Sequence, residues 1–303
     1  MQERNLLKYE KIANSQVLLH PQPKGIIQFI GSFIFGSFPA FAYKPLHEFL
    51  FARGYSLILY KFPLNPTQFN HWEVALDLLK EQHALKVEII KALRSKQQFT
   101  DLINLYLPPE NYLWLGHSLG CKYIALLEIL SDDPQKRSQV LQKCLGEQNA
   151  EKIIDSLALI EPVQTNAAAD IQQLLPEIKP NNQFFIRNQP SVLLAPEISN
   201  TVRFFKSDWR IPSPWTSPNR QQTECSIGSS KDLFNLTGII AFESDDIAED
   251  DVVFLKEQIK IRHFQPYLYE ELAGCHFEPL NCQRIEILGE QIDRFFDILR
   301  ARI

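Results

Sequence analysis

The first feature of this chain that could do chemistry is a serine set between two glycines, in Gly116-His117-Ser118-Leu119-Gly120. The spacing matters because a backbone turning sharply from strand to helix brings its own atoms close together. Glycines two positions either side of the serine remove Cβ atoms that would clash. Tyr112 to Leu115 run into the motif as apolar and aromatic residues, and Cys121 to Leu130 can form an apolar-faced helix. This context predicts a nucleophile elbow with the Ser118 hydroxyl exposed at its apex. A serine hydroxyl is a poor nucleophile until a base takes its proton and an acid orients that base. Where a G-x-S-x-G elbow carries the nucleophile, those groups follow in the order Ser, then Asp or Glu, then His, and Asp245 and His276 fill that order.

Other residues compete for two of these roles. Asp245 is preferred to Asp246 because Phe242-x-x-Asp245-x-Ile247 places it at a strand end, and Glu161 is a third candidate at the end of an earlier apolar run. His276 is favoured as the base because it stands in a Gly274-x-His276 loop before the last helix, with His71 at a helix start as its rival. His117 is too constrained to reach its neighbour's hydroxyl and is expected to pack beside the cleft. His20, His47, His83 and His263 have no supporting context. An oxyanion hole would use the backbone N–H of Leu119 and a second from Ser32 or Phe33, in the loop that Gly31 lets turn inward. Cys121 and Cys275, near the nucleophile and the base, are expected to be packing residues.

The elements that must hold these residues follow from hydrophobic pattern. Asn5 to His20 suggests one or two short strands, and Gly25–Ile30 a buried one. A helix over about Lys44 to Arg53 stops at Gly54, and Tyr55–Tyr60 is again a strand, completing a βαβ unit and hence a parallel sheet. Helical periodicity spans His71 to Lys96, and one or two surface helices fit Ser131 to Asp155. Ser156–Ile160 suggests a short strand ended by Pro162. Leu236–Phe242 and about Tyr267–Tyr269 predict the last strands, with helices over about Glu249–Lys260 and Arg284–Arg300. Between them, Gln164–Asn235 is rich in Asn, Gln, Pro and Ser and shows no convincing strand. It carries Phe184, Phe185, Phe204, Phe205, Trp209 and Trp215. A structureless loop of that length is not expected in a compact domain, so residues 1–163 and 236–303 are assigned to the core and 164–235 to a cap or lid.

Composition narrows the function classes. With 303 residues, 45% of them hydrophobic, the chain can bury a large core. A net charge of -5, from 31 Lys+Arg against 36 Asp+Glu, offers no basic patch for nucleic acid. The 5 cysteines are odd in number and scattered, which predicts free thiols in a reducing, cytoplasmic setting and no metal site. Ile26 to Tyr43 lacks charge over nearly the length of a membrane span, but Gly31, Ser32, Gly36, Ser37 and Pro39 interrupt it, so membrane association is not expected.

The chain resembles the α/β-hydrolase superfamily through Gly116-His117-Ser118-Leu119-Gly120, the Asp245 strand end and the Gly274-x-His276 loop. It is most similar to a cyanobacterial and plastid branch of that superfamily defined by a domain of unknown function. That likeness rests on Gln28-Phe29-Ile30-Gly31-Ser32-Phe33-Ile34-Phe35-Gly36-Ser37-Phe38-Pro39, Tyr43, Phe69-Asn70-His71 and the elbow through Lys122. It covers roughly Gln16 to Leu299, least closely over Asn181 to Ser230. The branch's pattern has a histidine ahead of its Gly-rich loop and an aspartate where Asn70 stands; this chain has neither. The resemblance implies an α/β-hydrolase fold with a mostly parallel sheet. The residues predict a cofactor-free serine hydrolase acting on an ester or thioester with an apolar acyl or alkyl part. The alternative is a non-catalytic protein of the same fold that binds a lipid, pigment or protein partner. Neither reading specifies an oligomeric state.

Overall fold

The computed structural model describes residues 8–61, 70–95, 100–177, 186, 189–199, 216–262, 266–281 and 283–303. Eight strands form one sheet: β1 (Glu10–Ile12), β2 (Ser15–Leu18), β3 (Gly25–Ile30), β4 (Tyr55–Tyr60), β5 (Tyr112–His117), β6 (Ser191–Leu194), β7 (Thr237–Phe242) and β8 (Leu268–Leu272). Their spatial order is β1-β2-β4-β3-β5-β6-β7-β8. The pairs β1/β2 and β2/β4 are antiparallel, and every pairing from β4 to β8 is parallel. All six residues of β3, β4, β5 and β7 are buried. Strands covered on both faces need no polar alternation, which is why they read as continuous apolar runs.

Helices cover both faces. They are α1 (Pro39–Ala42), α2 (Lys44–Ala52), α3 (His71–Ser95), α4 (Thr100–Leu105), α5 (Leu119–Leu130), α6 (Pro134–Leu145), α7 (Glu147–Ala158), α8 (Glu161–Leu174), α9 (Arg220–Ser229), α10 (Glu249–Lys260) and α11 (Ile285–Arg300). The pleat of β3 divides the core. Ile26 and Ile30 join the cluster with α3 and α5, whereas Ile27 and Phe29 join the one with α2 and α11. The uncharged Ile26–Tyr43 stretch is thus divided between β3, a loop and α1, and among the described residues no helix is long and apolar enough to cross a membrane.

Two expectations are corrected. Ser156–Ile160 is not a strand, because Ala150, Ile153 and Leu157 bury one face of α7 at helical spacing and Leu159 is left 77% exposed. The strand between β5 and β7 is instead β6, inside the segment assigned to the cap, with all four residues buried. Glu161 therefore starts a helix and is exposed. The cysteines are not all free thiols: Cys144 on α6 and Cys225 on α9 form a disulfide with Cα atoms 5.6 Å apart. Spacing could not reveal this pair, because 81 residues separate its members and only the packing of α6 on α9 unites them. Cysteine usage then no longer argues for a reducing compartment. The aromatic residues assigned to the cap, Phe184, Phe185, Phe204, Phe205, Trp209 and Trp215, lie outside the described residues, as does His263.

Closing a loop of this length restricts the unfolded chain. C144S is expected to lower unfolding stability by about 2–4 kcal/mol in urea melts without reductant. Reductant should bring the wild type to the variant's midpoint; a wild-type midpoint insensitive to reductant would show that no bridge forms.

Candidate active site

Ser118 lies between β5 and α5 at φ 55° and ψ -122°, a left-handed backbone that a non-glycine residue rarely adopts. Strain of this kind costs about 1–3 kcal/mol and persists only where the surroundings enforce it. They do so here from both sides. The Ser118 N–H donates to the Leu194 carbonyl at 3.0 Å, and the Ser118 carbonyl accepts from the N–H groups of Cys121 at 3.0 Å and Glu197 at 3.2 Å. On the helix side, a Cβ on Gly120 would stand 2.1 Å from the Ile30 carbonyl oxygen, so α5 begins in direct contact with the end of β3. Only glycine permits that approach.

The base and acid arrive from the neighbouring parallel strands. Asp245 follows β7 and His276 follows β8. The Ser244 N–H donates to the Gly274 carbonyl at 2.9 Å, tying the two loops together. His276 Nδ1 is 3.0 Å from both carboxylate oxygens of Asp245, and His276 Nε2 is 2.8 Å from Ser118 Oγ. An ionised carboxylate only accepts, so Nδ1 carries the proton and Nε2 is free to accept from the Ser118 hydroxyl. Asp245 Oδ1 also accepts from the N–H groups of Ile247 and Ala248, each at 3.0 Å. Burial pushes the Asp245 carboxyl upward, but the His276 hydrogen bond and charge, with these amides, outweigh it and hold the group below its ordinary value. Ser118, Asp245 and His276 are 7%, 7% and 4% exposed, so the trio is screened from bulk water and Ser118, expected at an exposed apex, is instead buried by the loops packed around the elbow.

The rival residues fall elsewhere. Asp246 is exposed, Glu161 heads α8, and His71 Nδ1 meets the Tyr123 hydroxyl at 3.1 Å. Cys121 packs in the interior, with its thiol pushed well up by burial, but Cys275 is exposed rather than a packing residue, because its loop faces solvent. Of the expected oxyanion donors, Leu119 opens α5, where an N–H has no acceptor within the helix. The Ser32 amide is taken: it donates to the Tyr43 hydroxyl at 2.8 Å. Phe33, the other residue expected to donate from this loop, is half-buried.

Sequence reasoning passed over Tyr43 and His47 and left His117 as packing. His117 Nε2 is 2.8 Å from the His276 carbonyl oxygen and its Nδ1 is 2.8 Å from the Tyr43 hydroxyl. Burial, with the neighbouring His276, pushes His117 down to about 3, so it is neutral at physiological pH. His47 lies on the far side of Tyr43, its ring 6.0 Å from the tyrosine's and 4.8 Å from that of Phe29. Burial pushes it too down to about 3. The only available signal was the placement of His117 within the elbow.

A family profile described as "Protein of unknown function (DUF1350)" matches residues 8–297. No curated protein matches the chain. Among solved structures, esterase B from Lactobacillus rhamnosis is similar at 11% identity and a TM-score of 0.53, covering 97% of this chain and 84% of that one. The esterase domain of a Rhodothermus marinus protein is similar at 12% identity and a TM-score of 0.45, covering 95% and 97%. Similarity at this level concerns the fold, which is that of the α/β-hydrolases.

Both buried imidazoles link stability to pH. Their folded values lie below the ordinary 6.5, so the stability gained by keeping them neutral is complete above about pH 6.5 and is lost as pH falls toward 3. His47→Leu, away from Ser118, is therefore expected to gain on the wild type by up to about 1.4 kcal/mol per pH unit as pH drops below 6.5. Thermal melts at pH 7 and pH 5 test this; a difference between the two proteins that does not change with pH would contradict it.

Proposed function

This chain belongs to the family of proteins of unknown function DUF1350, and from that premise we propose that it is a serine hydrolase acting on an ester or thioester with an apolar acyl or alkyl part. One observation carries the reading: Ser118 Oγ, His276 Nε2, His276 Nδ1 and the Asp245 carboxylate form a continuous hydrogen-bonded line on a strained elbow. The chemistry follows from the atoms. His276 Nε2 takes the Ser118 proton as Oγ attacks the carbonyl carbon. The carbonyl oxygen gains the electron pair and is held by the N–H groups of Leu119 and Phe33. The oxyanion then collapses, the bond to the leaving oxygen or sulfur breaks, and His276 gives that atom its proton. Water, deprotonated by His276, attacks the acyl carbon; the bond to Ser118 Oγ then breaks, His276 returns the proton to Oγ, and the acid is released. Asp245 keeps the imidazole in the required tautomer throughout.

The surroundings support an apolar substrate. Phe277, next to the base, is 46% exposed, and its ring lies 6.2 Å from that of Phe35, which in turn is 6.1 Å from Phe38 at 41% exposure. This aromatic row begins at His276, where Phe277 meets the imidazole edge-on at 5.3 Å. Residues 164–235, apart from β6, remain a proposed cap, of which α8 packs on α3 and α9 on α6. Esterase B is named for ester chemistry, but the likeness to it is one of fold.

A fluorophosphonate probe is expected to label the native protein at Ser118. Ser118→Ala should abolish labelling, His276→Ala should slow it at least a thousandfold, and Asp245→Asn should slow it by a comparable order. Absence of labelling in a well-folded sample would favour the non-catalytic, ligand-binding alternative.

A further inference from the structure

Asp245 fixes only one side of the His276 ring; its position also depends on its own main chain, which follows the exposed Cys275. The His276 carbonyl is held by a side chain, His117, the residue immediately before the nucleophile. We propose that Tyr43 and His117 are positioning residues that lock the base to the elbow and to the oxyanion loop, a role that rests on the hydrolase reading above.

The proton inventory allows one arrangement. A carbonyl oxygen only accepts, so His117 Nε2 carries its proton and donates to His276 at 2.8 Å. In a neutral imidazole Nδ1 is then an acceptor, and the hydroxyl 2.8 Å away is that of Tyr43. The same Tyr43 oxygen receives the Ser32 N–H at 2.8 Å and lies 3.1 Å from Ser32 Oγ. One hydroxyl and one imidazole thus join the loops that follow β3, β5 and β8. Tyr43 and His117 are fully buried, and Ser32 is 5% exposed, so water cannot replace a lost partner. The arrangement also assigns the oxyanion donors. With the Ser32 amide turned onto Tyr43, the next amide, that of Phe33, is left for the substrate.

Removing the Tyr43 hydroxyl would leave the Ser32 N–H and His117 Nδ1 unpaired together and release the His117 tautomer. The base would then lose its fixed distance to Ser118, and misplacement by about 1 Å is enough for a hundredfold loss of rate.

The test compares fluorophosphonate labelling rates of the wild type, Ser118→Ala, Tyr43→Phe, His117→Gln and His117→Leu, with folding checked by circular dichroism. Tyr43→Phe is expected to label Ser118 about ten- to a hundredfold more slowly than wild type. The Gln amide can still donate to the His276 carbonyl, whereas Leu fills the site without donating. His117→Gln should therefore retain more labelling than His117→Leu. A purely structural role predicts the reverse, since Leu is the better core filler. Labelling of Tyr43→Phe at the wild-type rate, or of His117→Leu at least as fast as His117→Gln, would overturn the positioning role while leaving the hydrolase reading intact. An unlabelled wild type would overturn both. Should both His117 variants fail to fold, Tyr43→Phe, which lacks only one oxygen, decides.

Discussion

The close approach of α5 to the end of β3 is the constraint on which the rest of the site depends. With only hydrogen at the Gly120 Cα, the helix can start against the Ile30 and Gly31 carbonyls; a Cβ would lie 2.1 Å and 2.8 Å from those oxygens. This contact sets the first turn of α5 beside the carbonyls at the end of β3. It also forces the chain to reverse within a single residue, which is why Ser118 is held at positive φ. The energy stored there is recovered through the ladder bond from Ser118 to Leu194 and the first hydrogen bonds of α5.

Sheet order does the remaining placement. Because β5, β6, β7 and β8 are adjacent and parallel, the loops after them leave from one edge, where open sheets of this kind place their reactive groups. Asp245 and His276 are 31 residues apart in sequence but one strand apart in space. A backbone bond from Ser244 to Gly274 sets their loops before any side chain is considered. Gly274, at φ 146°, turns that loop, and a Cβ there would meet the Glu278 side chain at 2.7 Å.

Much of this was legible in the sequence because buried parallel strands and amphipathic helices have strong periodic signatures. Gly25–Ile30, Tyr55–Tyr60 and the helix from His71 were readable on that basis, as was the strand-to-helix turn at Ser118, which the fold brings within hydrogen-bonding distance of His276. The misreadings have a common cause in short or long-range signals. β6 has only four residues, too few to separate from a loop, while the last turn of α7 and the residues after it, Ser-Leu-Ala-Leu-Ile, imitate a short strand. The Cys144–Cys225 bridge and the Tyr43–His117 contact join residues 81 and 74 positions apart, and no local pattern encodes either. The Ser32 amide illustrates the same limit: its position after β3 was right for an oxyanion donor, but a tyrosine eleven residues later claims it.

Buried ionisable side chains hold the segment beyond β6 to this framework. Lys122, one turn along α5 from the elbow, is fully buried and donates from Nζ to the Pro218 carbonyl at 2.8 Å. Burial pushes its amine down to about 7, opposed by the charges of Glu197 and Asp251. Asp251 on α10 accepts from the N–H groups of Ile198 and Ser199 at 2.7 and 2.9 Å, and Arg220 lies 3.9 Å from it. The described ends on either side of residues 200–215 are therefore held by buried ionisable side chains of α5 and α10. A charge in such a place is costly unless its partners stay in register. The same helix that presents Ser118 thus also holds the backbone at Pro218.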